Sequence, residues 1–134
     1  MDGTKWTPEK LAGKVVLIEF WASWCAPCVA EIPYLREAYE QFRGRGFEII
    51  GVNRNPESPE EQRLWFMTHG VAWPQISDSQ GEQGPIGQAF GVVQIPKSVL
   101  IDRQGRVIGI NLRGRRVARK VAELLDETRP VSAH

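Results

Sequence analysis

The stretch VVLIEFWASWCAPC, residues 15–28, joins a run of apolar and aromatic residues to the only two cysteines of the chain. The apolar run is typical of a buried strand. The residues after the cysteines follow a helical pattern, which predicts a helix from about residue 25 to residue 43. Two cysteines that are separated by two residues at a strand-to-helix junction are typical of a redox pair that opens and closes.

The position of Cys25 at a helix start favours redox chemistry on physical grounds. A thiolate at this position faces unpaired backbone N–H groups and the positive end of the helix dipole. The pKa of such a thiol therefore falls from about 8.5 towards neutrality. Cys28 lies one helical turn later, which is close enough for a disulfide with Cys25.

Two other uses of Cys25 and Cys28 are weaker. A structural disulfide across so short a loop gains little stability. A zinc site needs four ligands. Only His69 and His134 remain to complete one, and His134 is the last residue. We therefore interpret the pair as a redox-active disulfide that needs no metal and no organic cofactor.

The composition of the 134-residue chain is that of an ordinary soluble globular domain, with 42% hydrophobic and 25% charged residues. A formal net charge of +1 gives no reason to expect a nucleic-acid partner. No apolar stretch reaches the length of a membrane-spanning helix, and the first six residues contain no apolar signal core. We expect a single domain over residues 1–134, and a monomer.

Outside the cysteine region, strand patterns alternate with helical ones. The predicted strands are 15–20, 47–52, 98–101 and 107–112, with a short extended piece at 73–76. The predicted helices begin near residue 25, at the capping box that Ser58 opens, and at residue 115, with short helices at 7–11 and 86–90 and a loop at 78–84. Leu64, Trp65 and Thr68 are expected to face the core. This order predicts an α/β fold with a mixed central sheet flanked by helices.

Several segments together resemble the thioredoxin superfamily, and within it the TlpA/ResA-like branch. FWASWCAPC at residues 20–28 resembles the active-site segment, and Pro33 resembles a helix-kinking proline of that family. GVVQIP at residues 91–96 resembles the segment that ends in a cis-proline. Residues 56–90 fit the helix-strand insert of the branch, and SVLIDRQG at residues 98–105 resembles its strand-and-turn signature.

The resemblance implies a thiol-disulfide oxidoreductase with a thioredoxin-like fold. It implies that Cys25 is the exposed attacking thiol and Cys28 the buried resolving thiol. The partners would be protein disulfides, and an upstream reductase or membrane donor would supply electrons. The branch favours an extracytoplasmic location, with the cytoplasm as the alternative. In this branch a strand normally precedes a turn such as Asp2-Gly3, so we expect a domain trimmed from a longer protein.

Four residues are candidate substrate-binding positions. They are Trp24, Pro27, Ile95 and Pro96. A cis bond before Pro96 would turn the Ile95 backbone towards the cysteines, where its N–H and C=O could pair with a partner segment. Trp24 is expected to lie partly exposed beside the disulfide.

Glu19 is a third candidate catalytic residue. It matches the position of the buried acid in thioredoxin, and its apolar flanks predict burial behind Cys28. Burial raises the pKa of a carboxyl, so Glu19 could exchange a proton with Cys28 near neutrality. The alternative is a surface carboxylate that the strand tolerates. The sequence offers no evident lysine partner for it.

Two other functions stay open at this point. A peroxiredoxin-like thiol peroxidase shares the insert, but it needs a lone peroxidatic cysteine rather than a pair. A redox-inactive binding module could use the same fold, but the intact cysteines and Pro96 argue against it. A basic run at residues 113–120 hints at an interaction, although a solvated face is the simpler interpretation.

Overall fold

The computed structural model describes residues 11–55, 57–77 and 94–126. In chain order the elements are β1 (Val15–Trp21), α1 (Ala26–Phe42), a 3₁₀ turn (Arg43–Arg45), β2 (Phe47–Asn53), α2 (Pro59–His69), β3 (Gln75–Ser77), β4 (Lys97–Ile101), β5 (Val107–Ile110) and α3 (Arg115–Asp126). The short helices predicted at 7–11 and 86–90, apart from Leu11, and the loop at 78–84 lie outside the described residues.

The five strands form one mixed sheet in the order β3-β2-β1-β4-β5. β1 pairs in parallel with β2 and antiparallel with β4, while β3 and β5 occupy the edges. The central place of β1 explains its composition, because a strand covered on both faces needs apolar residues on both faces. Every residue of β1 is buried except Ile18, which is half-buried. The predicted mixed sheet with flanking helices is confirmed.

Helix α1 begins directly after Cys25, which is its N-cap, and Pro27 lies in its first turn, where a proline is tolerated. Pro33 lies inside the helix. The following 3₁₀ turn ends at Gly46, whose φ of 98° is a left-handed conformation that suits glycine. The helix packs its apolar stripe on the sheet beside α3, so the start of α1 is held at the edge where β1 ends.

Helix α3 buries the four residues that its pattern predicts to face inward. They are Val117, Val121, Leu124 and Leu125. Their spacing follows the helical period closely, so the rest of the helix surface is left to polar and charged side chains. Together α1 and α3 cover one face of the sheet and enclose the main hydrophobic core.

The predicted start of α2 is confirmed. The Ser58 hydroxyl accepts from the Glu61 N–H at 3.2 Å, and the Glu61 carboxylate accepts from the Ser58 N–H at 3.2 Å. These two bonds form the capping box that the sequence indicates. α2 and β3 are the described part of the predicted helix-strand insert, and β3 adds to the sheet in parallel beside β2.

The predicted inner face of α2 is wrong for Leu64 and Thr68 and holds for Trp65, which packs against the core. Leu64 is 66% exposed and Thr68 is also exposed, whereas Phe66 is buried. The helix is turned so that Phe66 packs on Trp21, with ring centroids 5.9 Å apart, and Trp65 lies half-buried at 5.5 Å from the same ring. Aromatic packing on the end of β1 therefore sets the orientation of α2 more strongly than its aliphatic residues do.

The sheet register brings the cysteine loop and Pro96 to one edge of the sheet. β1 ends at Trp21, four residues before Cys25, and Phe20 is paired with Lys97 at the start of β4. Pro96 directly precedes Lys97, so it lies beside the end of β1. Within the described ranges, none of the helices has the length and apolar character needed to cross a bilayer.

Candidate active site

Cys25 and Cys28 are joined by a disulfide at the N-terminus of α1, with their Cα atoms 5.2 Å apart. Cys25 Sγ accepts from the backbone N–H of Cys28 at 3.3 Å, so this sulfur occupies the capping position of the helix. Cys25 is 7% exposed and Cys28 is 1% exposed, so both are buried in the disulfide form, and the predicted exposure of Cys25 holds only relative to Cys28. The helix N-terminus favours negative charge on the outer sulfur, and that is where a thiolate would form on reduction.

The loop that carries the cysteines is held by residues that follow β2. The Ser23 N–H donates to Asn55 Oδ1 at 2.6 Å, and the Ser23 hydroxyl donates to Glu57 Oε1 at 3.0 Å. The Cys25 N–H closes the turn onto the Ala22 carbonyl at 3.2 Å. Sequence reasoning missed Asn55 and Glu57. β1 and β2 are parallel, so both strands end at the same edge of the sheet. The polar residues that directly follow β2 could therefore have been predicted to lie beside the cysteine loop.

Trp24 lies beside the disulfide and is 64% exposed, as the sequence predicts. Its indole N–H donates to the Arg54 carbonyl at 3.3 Å, which fixes one edge of the ring and leaves the rest to solvent. Pro27 in the first turn of α1 is exposed as well. Two exposed apolar residues therefore flank Cys25 along the chain.

The peptide bond between Ile95 and Pro96 is cis, as the sequence predicts. Both residues are half-buried. Ile95 packs against the apolar side chains on both faces of the sheet, so its main chain is anchored at the edge where β1 ends.

Glu19 is 3% exposed and lies on the sheet face covered by α1. Glu19 and Cys28 line the same cavity of about 10 Å³, together with Trp21, Ile32, Leu35 and Trp73. The Oε1 atom is buried and has no hydrogen-bond partner among the residues that the structure describes. The predicted burial of Glu19 behind Cys28 is therefore confirmed, and the surface alternative is wrong.

Burial raises the pKa of Glu19 from its ordinary 4.5 to about 8. The chief cause is loss of hydration, which destabilises the charged carboxylate. The positive charge of Arg113 opposes the rise, and the negative charge of Glu31 adds to it. A carboxyl that titrates near neutrality and faces a buried cysteine has the properties of a general acid-base group.

Arg113 and Glu31 were not predicted as site residues. The sequence analysis noted no lysine beside Glu19, and it assigned Arg113 to a solvated basic run. The structure does not contradict the first point, since no lysine is among the charges that act on Glu19. It corrects the second, because Arg113 is half-buried and donates to the Pro96 carbonyl at 2.8 Å. The Glu31 carboxylate accepts from the Gly114 N–H at 2.9 Å. The rest of the run fits the simple interpretation, since residues 115, 116 and 119 are exposed.

No metal site is formed by residues 11–55, 57–77 and 94–126, where no cluster of three or more His, Cys, Asp or Glu side chains could hold an ion. The groups that the fold brings together at this edge are the Cys25–Cys28 disulfide, the buried Glu19 carboxyl and the main chain at Ile95.

Comparison with known proteins gives a consistent result. The family model Redoxin matches residues 1–125. The thiol-disulfide oxidoreductase ResA of Bacillus thuringiensis is 31% identical over 97% of this chain and 72% of its own length. A thiol:disulfide interchange protein of Chlorobium tepidum is 28% identical with a TM-score of 0.77, covering 92% of this chain and 88% of its own.

The thioredoxin domain of a thiol-disulfide oxidoreductase from Bacteroides vulgatus has a TM-score of 0.77 at 26% identity, over 87% of this chain and 83% of its own. The match to the family model spans nearly all of the sequence, and the aligned Bacillus relative extends across the cysteine pair. The chain therefore belongs to the Redoxin family, within the ResA-like branch of the thioredoxin superfamily, and is a thiol-disulfide oxidoreductase.

Proposed function

We propose that Cys25 attacks the disulfides of partner proteins and that Cys28 resolves the resulting intermediate. The supporting observation is the difference between the two sulfurs at the start of α1. Cys25 is the more exposed residue and its sulfur lies at the helix cap, while Cys28 is covered and lines a cavity with Glu19. An attacking thiol needs access to its partner, whereas a resolving thiol needs only access to the first sulfur.

The reaction proceeds in two exchanges. In the reduced protein, the Cys25 thiolate attacks one sulfur of the partner disulfide, and the other partner sulfur leaves as a thiolate. Cys28 then loses its proton and attacks Cys25 Sγ, which releases the second partner sulfur. The partner gains two electrons and the protein ends as the Cys25–Cys28 disulfide. A dithiol donor must then reduce this disulfide.

Glu19 is proposed to accept the proton of Cys28 in the second exchange. Glu19 and Cys28 line the same small cavity, and Cys28 is 1% exposed, which leaves little access for a base from solvent. With a pKa of about 8, only about a tenth of the Glu19 carboxyls are ionised at pH 7, and this ionised fraction is the one that can accept the proton. The fraction grows as pH rises towards 8, so the rate of the second exchange should rise with it.

The docking surface is proposed to consist of Trp24, Pro27, Ile95 and Pro96. Trp24 and Pro27 offer exposed apolar surface on one side of Cys25. On the other side, the main chain of Ile95 could pair with an extended segment of the partner, as an added strand does. This combination would bind an unfolded or exposed cysteine segment without strong sequence preference.

The electron donor, the cellular location and the oligomeric state are also proposals. An upstream reductase or membrane donor would supply the electrons, and an extracytoplasmic location rests on the ResA-like resemblance. A monomer is supported by the short edge strands β3 and β5, which offer little main chain for pairing between copies.

The proposed activity is tested by reduction of insulin with a small dithiol as electron donor. We expect the protein to accelerate insulin reduction well beyond the dithiol alone. The same protein given hydrogen peroxide instead of insulin should consume the dithiol no faster than the background. Rapid peroxide consumption without insulin reduction would indicate a thiol peroxidase and contradict the proposal.

Replacement of Trp24 by alanine should weaken partner binding. A partly exposed aromatic at the centre of a docking surface commonly contributes enough to change affinity roughly tenfold. We therefore expect KM for insulin to rise by about that factor, with little change in kcat. Met67→Ala is a matched control, because Met67 is 78% exposed at the last turn of α2. Equal KM values for the two variants would remove Trp24 from the docking surface.

A further inference from the structure

Residues 111–114, here called the clamp, connect β5 to α3 and bind two other parts of the active site. The Asn111 N–H donates to the Ser98 carbonyl at 2.9 Å, and Asn111 Oδ1 accepts from the Ser98 N–H at 3.0 Å. At the other end, the Gly114 N–H donates to the Glu31 carboxylate. The clamp therefore ties the start of β4 to the first half of α1.

Arg113 is the side chain of the clamp that reaches the proline segment. Its Nη2 donates to the Pro96 carbonyl at 2.8 Å, and its Nη1 donates to the Leu112 carbonyl at 3.2 Å. The salt bridges found among the described residues do not include Arg113. The guanidinium is thus oriented by two backbone carbonyls, and hydrogen bonds from a charged donor are stronger than neutral ones.

The strands beside Glu19 contribute no charge to its face of the sheet. On β2 its partner is Gly51, and on β4 its partner is Ser98. Lys97 is paired with Phe20, so it projects to the opposite face, because neighbouring residues of a strand alternate between faces.

The charges that act on Glu19 come from α1 and the clamp. α1 contributes the negative charge of Glu31, which disfavours ionisation of Glu19. It also carries Cys28, an uncharged disulfide sulfur whose residue lines the same cavity as Glu19. The clamp contributes Arg113, whose positive charge favours ionisation of Glu19. Arg113 therefore acts on two parts of the site, through its charge on Glu19 and through its hydrogen bond on the Pro96 carbonyl of the proposed docking surface.

We propose that Arg113 is a positioning residue for disulfide exchange. Its hydrogen bond holds the Pro96 carbonyl, and with it the adjacent main chain of Ile95 in the proposed docking surface. Its positive charge offsets the negative charge of the Glu19 carboxylate. This inference rests on the proposed roles of Glu19 and of the Ile95–Pro96 edge. It assigns two separable effects to one side chain. The hydrogen bond to Pro96 acts on partner binding, and the charge acts on the proton transfer from Cys28.

The first variant is Arg113→Gln, which removes the charge and the forked donor. We expect KM for insulin to rise about fivefold to tenfold, because one charged hydrogen bond to the docking surface is lost. We also expect the midpoint of the pH-rate profile to move up by about one unit, since Glu19 loses its nearby positive charge. Arg115→Gln is the matched control: it makes the same charge change at an exposed position of α3.

Two further variants separate the effects. Arg113→Lys keeps the charge but lacks the planar fork, so it should restore most of the pH midpoint and leave KM raised. In a Glu19→Gln background, Arg113→Gln should still raise KM but should no longer move the pH profile. A merely structural role for Arg113 would not depend on Glu19 in this way.

The outcomes are distinguishable. If Arg113→Gln matches Arg115→Gln in both KM and pH midpoint, the inference is wrong. A pH shift that persists without Glu19 would assign the charge effect to another group and also contradict it. If Arg113→Gln does not fold, as judged by circular dichroism, Arg113→Lys alone must show the raised KM. Absence of insulin reduction by the parent protein would instead overturn the proposed function on which the inference rests.

Discussion

Replacing Cys28 by serine is expected to stop turnover and leave partner proteins covalently attached to Cys25. The Cys25 thiolate can still attack a disulfide and form the mixed intermediate. Serine is a far weaker nucleophile than a thiolate, so the second exchange cannot occur. The partner then remains bound until an external thiol releases it.

The matched control is Cys25→Ser, which removes the outer sulfur and keeps the inner one. Both variants are mixed with insulin, quenched with acid, and analysed by mass spectrometry without reductant. Cys28→Ser should carry an insulin chain on Cys25, and Cys25→Ser should carry almost none, because Cys28 is 1% exposed. The reverse pattern would exchange the two roles. Equal trapping by both variants would show that burial does not select the attacking thiol.

The parts of the fold that the sequence predicts well are those with local signals. β1 is a continuous apolar run, α3 has one clear stripe, and the start of α2 has a complete capping box. Each of these signals depends on neighbours within a few residues, so the energetic preference is visible in the sequence itself. The cysteine pair at the end of β1 is equally local.

The errors arise where distant contacts decide the outcome. The orientation of α2 is set by Phe66 and Trp65 on Trp21, which is far away in the sequence. The hydrogen bond from Arg113 to Pro96 spans 17 positions, and the bond from Gly114 to Glu31 spans 83. A basic run gives no sign of which arginine turns inwards, because that depends on the loop geometry after β5.

Glu19 lies between these two cases. Its burial follows from the apolar residues on both sides of it in β1, and this is a local signal. The charges that surround it come from α1 and from the loop before α3, so their effect could not be read from the neighbouring residues. The sequence therefore predicts the direction of the pKa change and not its partners.

Replacing Glu19 by glutamine is expected to increase stability at neutral pH by about 3 kcal/mol. The pKa of Glu19 is raised from 4.5 to about 8 in the fold, so the folded state keeps a proton that the unfolded state releases. Each pH unit between these values costs about 1.4 kcal/mol of folding free energy. The parent is therefore most stable below about pH 4.5, as far as this group is concerned, and loses stability as pH rises towards 8. Glutamine has no charge to desolvate and escapes this loss.

The measurement is urea unfolding of the oxidised protein at pH 5, 6, 7 and 8, where the intact disulfide prevents titration of the cysteines. The gap in unfolding free energy between Glu19→Gln and the parent should be small at pH 5 and should widen with pH. Glu37→Gln on α1 is the matched control, because Glu37 is exposed. Glu48, whose pKa is also raised by burial, is present in all three proteins and cancels in the comparison.

The Glu19→Gln variant is also expected to change the rate of disulfide exchange. If Glu19 accepts the proton of Cys28, then Glu19→Gln should slow release of the mixed disulfide and remove the midpoint near pH 8 from the rate profile. A variant that gains stability and loses activity would show that the buried carboxyl is retained for proton transfer in spite of its cost. A gap that does not widen with pH, together with an unchanged rate, would mean that Glu19 ionises normally in the fold and takes no part in the exchange.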